Sequence, residues 1–372
     1  MNIGFNGQRL AGQRLGVGRY IEYLLRHWST MLHSDDLVSL FLRAEPPEDI
    51  RTLHPQIRSH VLSSHLPGIP WETLRMGKHA KKQDVLFCPS YTSPLGFGGR
   101  TVVATHSVDE ALAGTHSWKY RNTYARLYAH SARKAERVIV PSHWIRDVVI
   151  ERYAVQEDRV VVIPQGADDS FSPIVDPAVL REVRCRFFGR DRPYILFVGK
   201  CSPRRNVPTL IRAFAALKHE RHIPHGLLLF GPNQYGLPLE ALCRELGIEG
   251  DVVQTDGRIA QHTEMVPIYS AAELFVHPSS IEGWSMTTAE AMACGAAVVA
   301  ANRGGLGELA RGYAKMVDAP SVESLADAIG LVIEDGALRA DLQRLALTRA
   351  QSLRWRTLAA RTLEVVREAA AR

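Results

Sequence analysis

Two carboxylates, two cations and one histidine carry the chemistry that this sequence can offer. Glu282 and Glu290 stand with seven residues between them in a stretch, 278–308, that reads Pro-Ser-Ser-Ile-Glu-Gly-Trp-Ser-Met-Thr-Thr-Ala-Glu-Ala-Met-Ala-Cys-Gly up to Gly295. A carboxylate that accepts from neighbouring hydroxyls matches the vicinal diol of a sugar or ribose; an isolated Glu at such a place can equally cap or solvate a helix. Lys200 and Arg205 lie in Gly-Lys-Cys-Ser-Pro-Arg-Arg-Asn after Gly199. Two cations there suit a pyrophosphate, with Arg204 able to replace Arg205, though the same run also reads as an ordinary basic loop. His106, in Ala-Thr-His-Ser-Val-Asp, ends an apolar run; a lone histidine is commonly structural, but at a strand's carboxyl end it faces a ligand crevice.

Those residues need elements that bring them together. An apolar strand over 271–277, a loop holding Glu282, a helix through Ala289, Met292 and Ala293 that stops at Gly295, and a strand over 296–301 form one strand-loop-helix-strand unit. Ser285, Thr287 or Thr288 can cap that helix, and the amides of Gly283, Trp284, Ser285 and Met286 can receive an anion at its start. Such units build parallel sheets, whose ligands bind at the carboxyl ends of the strands. Strands are also expected over 2–6, 37–43, 61–64, 84–88, 101–106, 137–141, 160–164, 193–199, 227–230 and 252–255. Helices are expected from Arg19 and over 71–82, 120–135, 207–218, 322–333, 336–350 and 355–372. Near the start, Gly7, Gly12, Gly16 and Gly18 line a loop. Gly16-Val17-Gly18-Arg19-Tyr20 can present amides and Arg19 to a phosphate or an acceptor, or be a simple turn, since Ile21 fills the third glycine position of a dinucleotide fingerprint.

The chain has 372 residues, which suits two domains, and the proline-bearing stretch 169–192 reads as the linker between them. No apolar run approaches a membrane span, and the opening Met-Asn-Ile-Gly-Phe-Asn-Gly reads as a strand rather than a signal peptide, so the expected location is the cytoplasm. Five scattered cysteines without a Cys-x-x-Cys pair argue against a disulfide framework and a zinc site. The net charge of +6 favours anionic partners, while nothing resembles a nucleic-acid signature. The helix over 71–82 carries Arg75, Lys78, Lys81 and Lys82 beside Trp71 and Leu74. It is either a solvated face or a peripheral contact with an anionic membrane, which would place the protein at the membrane's inner face.

The stretch around Glu282 and Glu290 resembles the Glu-x7-Glu motif of family 4 of the retaining glycosyltransferases (group 1), including its Glu-Ala-Met-Ala-Cys-Gly run. The resemblance covers almost the whole chain and is strongest over 194–318. It implies a GT-B fold: two Rossmann-like α/β domains with parallel sheets facing across a cleft, an acceptor domain over 1–172 and a nucleotide-sugar domain over 173–354. The last helix, 355–372, would pack back on the first domain. It further implies that Glu282 contacts the donor sugar, Glu290 the ribose, Lys200 and Arg205 the leaving diphosphate, and His106 the sugar. The backbone near Gly257 and Arg258 would seat the base, and Gly16 and Gly18 would line the cleft. Where the family has Pro-Asn-Gly-Val-Asp, this chain has Pro164-Gln165-Gly166-Ala167-Asp168, and Ser107 stands where an Asp is frequent. Arg303 to Glu308 resembles the family's glycine loop.

No Asp-x-Asp occurs, so no metal cofactor is expected, and cations and helix-start amides must meet the charge on the leaving diphosphate. Trp71-Glu72-x-Leu74-Arg75 and Ser90-Tyr91-x-Ser93-Pro94-Leu95 resemble segments of mannosyltransferase-like members, which makes GDP-mannose the first expectation for the donor and a UDP-sugar the second. The acceptor would be a glycan or a lipid-linked sugar in surface polysaccharide or glycoconjugate assembly. Two other classes stay open: a dinucleotide-dependent oxidoreductase, from the pattern Gly305-x-Gly307-x-x-Ala310, and a non-catalytic nucleotide-sugar binder.

Overall fold

A computed structural model describes all residues except 11–13, 15, 110, 111 and 113–117, so Gly12 lies outside the described residues. The chain forms two compact units, Met1–Gln165 with Trp355–Arg372, and Gly166–Arg354. The division falls at Gln165, where the sequence placed it after residue 172.

The first unit holds a seven-stranded sheet in the order β3-β2-β1-β4-β5-β6-β7. Its strands are β1 Asn2–Asn6, β2 Leu37–Leu42, β3 Ile57–Val61, β4 Val85–Cys88, β5 Thr101–Ala104, β6 Arg137–Val140 and β7 Val160–Val162. Every pairing is parallel. β4, β5 and β6 are buried along their whole length, the mark of strands covered on both faces. β3 alternates between covered and exposed residues because it is the edge. One face packs Phe5, Trp28 and Phe87 edge to face or tilted at 5.2 to 5.7 Å. The helix Trp355–Ala371 belongs to this unit: Trp28 Nε1 donates to the Ala359 carbonyl at 2.9 Å, and Trp355 lies against Tyr20 and Tyr23.

The second unit holds a six-stranded parallel sheet, β10-β9-β8-β11-β12-β13. Its strands are β8 Tyr194–Val198, β9 Gly226–Phe230, β10 Val252–Thr255, β11 Leu274–His277, β12 Ala297–Ala301 and β13 Lys315–Val317. Alternate residues feed two cores. Tyr194, Leu196 and Val198 face one, with Trp284 and Met292; Ile195 and Phe197 face the other, with Leu210 and Phe214. In each sheet the strand order reverses beside the first strand, between β1 and β4 and between β8 and β11, which is where such sheets bind ligands.

Several expectations are corrected. The stretch 169–192 is mostly not linker: Asp176 caps a helix, Pro177–Phe188, that ends at Gly189 in the left-handed region, so its prolines and glycine punctuate a helix. The third strand is 57–61 rather than 61–64, because the ladder with β2 runs from Ile57 opposite Val38 to Val61 opposite Leu42 and ends there. The helix expected over 71–82 begins at Gly68 and passes through a π turn, Glu72–Met76. A helix not foreseen, His143–Tyr153, is capped by Ser142. The segment after Arg303 is a helix, Gly304–Ala310, rather than a loop.

Candidate functional site

Glu282 follows β11 at the switch point of the second sheet. Its Oε2 accepts from Arg204 Nη1 at 2.9 Å and lies 3.9 Å from Arg205 Nε and 3.5 Å from His277 Nε2. The two loops that meet here are joined by main chain as well: Arg204 donates to the Ile281 carbonyl at 2.6 Å, and Ser280 N donates to the Arg204 carbonyl at 2.9 Å. Burial works to raise the Glu282 pKa, but the Arg204 charge, the His277 contact and Arg205 override it and hold the carboxyl down at about 2. Arg204, which the sequence offered only as a substitute, is thus the direct partner of Glu282.

Gly199 ends β8 with φ 140°, and a Cβ there would sit 1.6 Å from Arg205 Nη1. A side chain at Gly231, after β9 with φ 154°, would meet the Gly199 carbonyl oxygen at 2.2 Å. The carboxyl ends of these strands therefore interlock through bare backbone, and the Arg205 guanidinium lies directly over the end of β8. Lys200 is exposed beside them.

His277, at the end of β11, is buried and links Glu282 to the start of the next helix. Its Nδ1 is 3.3 Å from Ser285 Oγ and 3.2 Å from Thr288 Oγ1. Burial keeps its pKa below the ordinary range, against the pull of Glu282. Ser285 caps the helix Met286–Ala293, accepting from Thr288 N at 3.2 Å. The strand-end signal that picked out His106 would also have found His277.

Glu290 lies on the second turn of that helix and is buried. Its Oε2 accepts from the Tyr269 hydroxyl at 2.9 Å, and its Oε1 is 3.5 Å from His262 Nε2. Neither partner was visible in the sequence, since both come from the segment ahead of β11. Gly283 and Ser285 are buried, Met286 is half-buried, and the Trp284 indole packs into the core. Arg258 extends into solvent, paired with Asp256 at 2.9 Å.

In the first unit, Gly16 caps the helix Val17–Trp28 with φ 48°. Gly18 passes the Arg9 carbonyl so closely that a Cβ would be 2.9 Å from its oxygen. Arg19 turns back to Glu22 at 3.0 Å, in a network with Arg14, Arg26 and Asp49, rather than outward to a ligand. His106 follows β5. Its Nε2 is 2.7 Å from the Pro89 carbonyl oxygen, so that nitrogen carries the proton, and its Nδ1 accepts from Gln165 Nε2 at 2.7 Å. Burial lowers its pKa to about 4, only partly offset by the Pro89 bond. Trp71, read as a membrane edge, is fully buried with Nε1 donating to the Leu62 carbonyl, while Leu74, Arg75, Lys78 and His79 of that helix are exposed. No helix among the described residues is long and apolar enough to cross a membrane.

Comparison with known proteins agrees with the fold and with the family resemblance. The model for glycosyl transferases group 1 matches residues 186–348, and that for glycosyltransferase family 4 matches residues 15–171. O-antigen chain mannosyltransferase B of Escherichia coli is 24% identical over 94% of this chain and 92% of its own length. D-inositol 3-phosphate glycosyltransferase of Kineococcus radiotolerans is 31% identical over 63% of this chain, which spans 58% of that relative, under two thirds of its length. Among solved structures, HepE of Anabaena in complex with UDP and glucose superposes with a TM-score of 0.81 at 20% identity, covering 99% of this chain and 100% of HepE. The two parallel sheets and that likeness make the fold GT-B. With both halves matched and the Glu282 site built at the switch point of the second sheet, the chain belongs to the family 4, group 1, glycosyltransferases.

Proposed function

We propose that the chain transfers a hexose, with retention of anomeric configuration and without a metal, from a nucleoside diphosphate sugar to a glycan or lipid-linked acceptor. GDP-mannose is the first donor to test, in keeping with the mannosyltransferase relative; a UDP-sugar is the alternative, in keeping with the UDP and glucose bound by HepE. The observation that carries the reading is the cluster of Glu282, Arg204 and Arg205 over the bare end of β8. A carboxylate fixed by cations can orient sugar hydroxyls, while Arg205 and Lys200 oppose the charge that grows on the departing diphosphate. In the proposed step the bond from the anomeric carbon to the diphosphate oxygen breaks. The acceptor oxygen bonds to the same face, and its proton passes to the leaving phosphate.

On this reading Glu290 holds the ribose, His106 faces the sugar, and the amides of Gly283 to Met286 and the backbone at Gly16, Gly18, Gly199 and Arg258 border the donor. Peripheral membrane contact would rest on Arg75, Lys78, Lys81 and Lys82, without Trp71.

The test is thermal stabilisation by GDP, UDP, ADP, GDP-mannose, UDP-glucose and NAD. A ligand at a hundred times its dissociation constant adds about 2.7 kcal/mol. Stabilisation by one nucleoside diphosphate, with most of it lost in a folded Glu290→Ala variant whose nucleotide binding is weaker by about 1.5 to 3 kcal/mol, is the expected result. Stabilisation by NAD alone, or by none of them, would overturn it. Replacing Lys200 and Arg205 together by Ala should lower kcat much more than donor affinity; equal losses would make them binding groups only.

A further inference from the structure

One buried carboxyl in the first unit has no part in the reading above. Glu72 opens the π turn Glu72–Met76, a geometry that is rare in helices and recurs at functional sites, and is 1% exposed. Its Oε2 accepts from Thr92 Oγ1 at 2.7 Å and Gln8 Nε2 at 3.4 Å, while its Oε1 has no hydrogen-bond partner among the described residues. Burial pushes its pKa up to about 7 against those two bonds and the charge of Arg9. The thiol of Cys88 is pushed up by its own burial and, after that, by Glu72.

Thr92 belongs to the loop 89–93 that follows β4, at the switch point of the first sheet. Each of its five residues is held by a group from outside the loop. The Pro89 carbonyl accepts from His106 Nε2 at 2.7 Å, and Ser90 Oγ accepts from Arg9 Nε at 3.3 Å. Tyr91 N donates to the Ala104 carbonyl at 3.0 Å, and its ring stacks on Tyr128 at 4.9 Å and meets the His106 ring edge-on at 5.6 Å. Thr92 donates to Glu72, and Ser93 N donates to Ser131 Oγ at 3.1 Å. Tyr91 has φ 69°, a conformation that a bulky residue holds only where its surroundings enforce it. The strain is spent on direction. The Tyr91 ring and the Pro89 carbonyl, two residues before it, both meet the same imidazole.

We propose that Glu72 is a positioning residue for His106: by gripping Thr92 it keeps the loop in its strained form, and so decides which imidazole nitrogen carries the proton. The link to sugar transfer rests on the role given to His106 above; the link to the imidazole does not.

Nitrogen NMR of the His106 ring in the full-length chain tests it. The wild type should show the tautomer protonated at Nε2 and should stay neutral down to about pH 4. Thr92→Val, which removes the donor and keeps the shape, should give mixed tautomers and a His106 pKa moved toward the ordinary value, as should a folded Glu72→Ala variant. Glu72→Gln, whose amide oxygen still accepts from Thr92, should restore the wild-type spectrum. Should Thr92→Val leave the His106 ring unchanged, the proposal is overturned, whatever Glu72→Ala does to folding. Turnover of GDP-mannose is read in the same samples. A shifted tautomer with unchanged kcat would support the positioning role and remove His106 from the transfer step. A fall in kcat at constant donor affinity would support both.

Discussion

Glu282 and Glu72 show how one physical term, burial, ends in opposite charge states. Burial raises both pKa values; only Glu282 has cations close enough to reverse it. For Glu282 the folded value, about 2, lies below that of an unfolded carboxyl. Its contribution is therefore present above about pH 4.5 and is lost as the pH falls toward 2, amounting to no more than roughly 3 kcal/mol. Glu282→Gln should flatten the acid limb of the denaturation midpoint against pH; an unchanged limb would mean that Arg204 does not hold it as a charge. For Glu72 the folded state binds the extra proton, so stability falls as the pH rises from about 4.5 to about 7 and then levels off. Glu72→Gln, neutral throughout, should gain on the wild type across that window by up to about 3 kcal/mol. Parallel curves would show that the carboxyl ionises normally.

At the scale of elements, the second sheet binds through the ends of its strands, and two glycines make those ends. Gly231→Ala must push a methyl into the Gly199 carbonyl and hold an unfavourable φ, at a cost of about 2 to 4 kcal/mol in chemical denaturation. Gly199→Ala also holds an unfavourable φ, but it meets the guanidinium of Arg205 rather than backbone, so it should cost less in folding than Gly231→Ala while weakening diphosphate binding; unchanged diphosphate binding in the folded variant would show that Arg205 is not held over β8. Most of these elements were legible beforehand. A strand buried on both faces reads as an unbroken apolar run, as in Tyr194–Val198, and needs no tertiary information to be found. The helix His143–Tyr153 was not legible in the same way, since it buries only Ile145, Val149 and Tyr153 amid charged residues. The helix Pro177–Phe188 carried its own start and stop in Asp176-Pro177 and Gly189, but its single buried residue, Val183, left no stripe to read.

At the scale of the molecule, the chain leaves the first unit at Gln165 and returns to it at Trp355. The returning helix is bound by more than apolar contact: Arg367 Nη2 donates to Asp36 at 2.6 Å, Arg100 donates to the Ala370 carbonyl at 2.5 Å, and Trp355 is 1% exposed. A chain ending at Arg354 should lose hydrogen-exchange protection across Met1–Gln165 while Gly166–Arg354 keeps its own. Equal loss in both units would mean that they unfold as one.

By itself the sequence determined the family, the alternation of strands and helices that makes two parallel sheets, and the residue types of the Glu282 and His106 sites. Those follow from local patterns and from one long motif around Glu282 and Glu290. Only the tertiary structure decided the pairings: Arg204 rather than Arg205 on Glu282, Tyr269 and His262 on Glu290, Gln165 on His106, and the buried carboxyl of Glu72 on Thr92. The reason is that charge state and direction depend on what lies within a few ångströms, and those neighbours arrive from separate strand ends whose register no local pattern encodes.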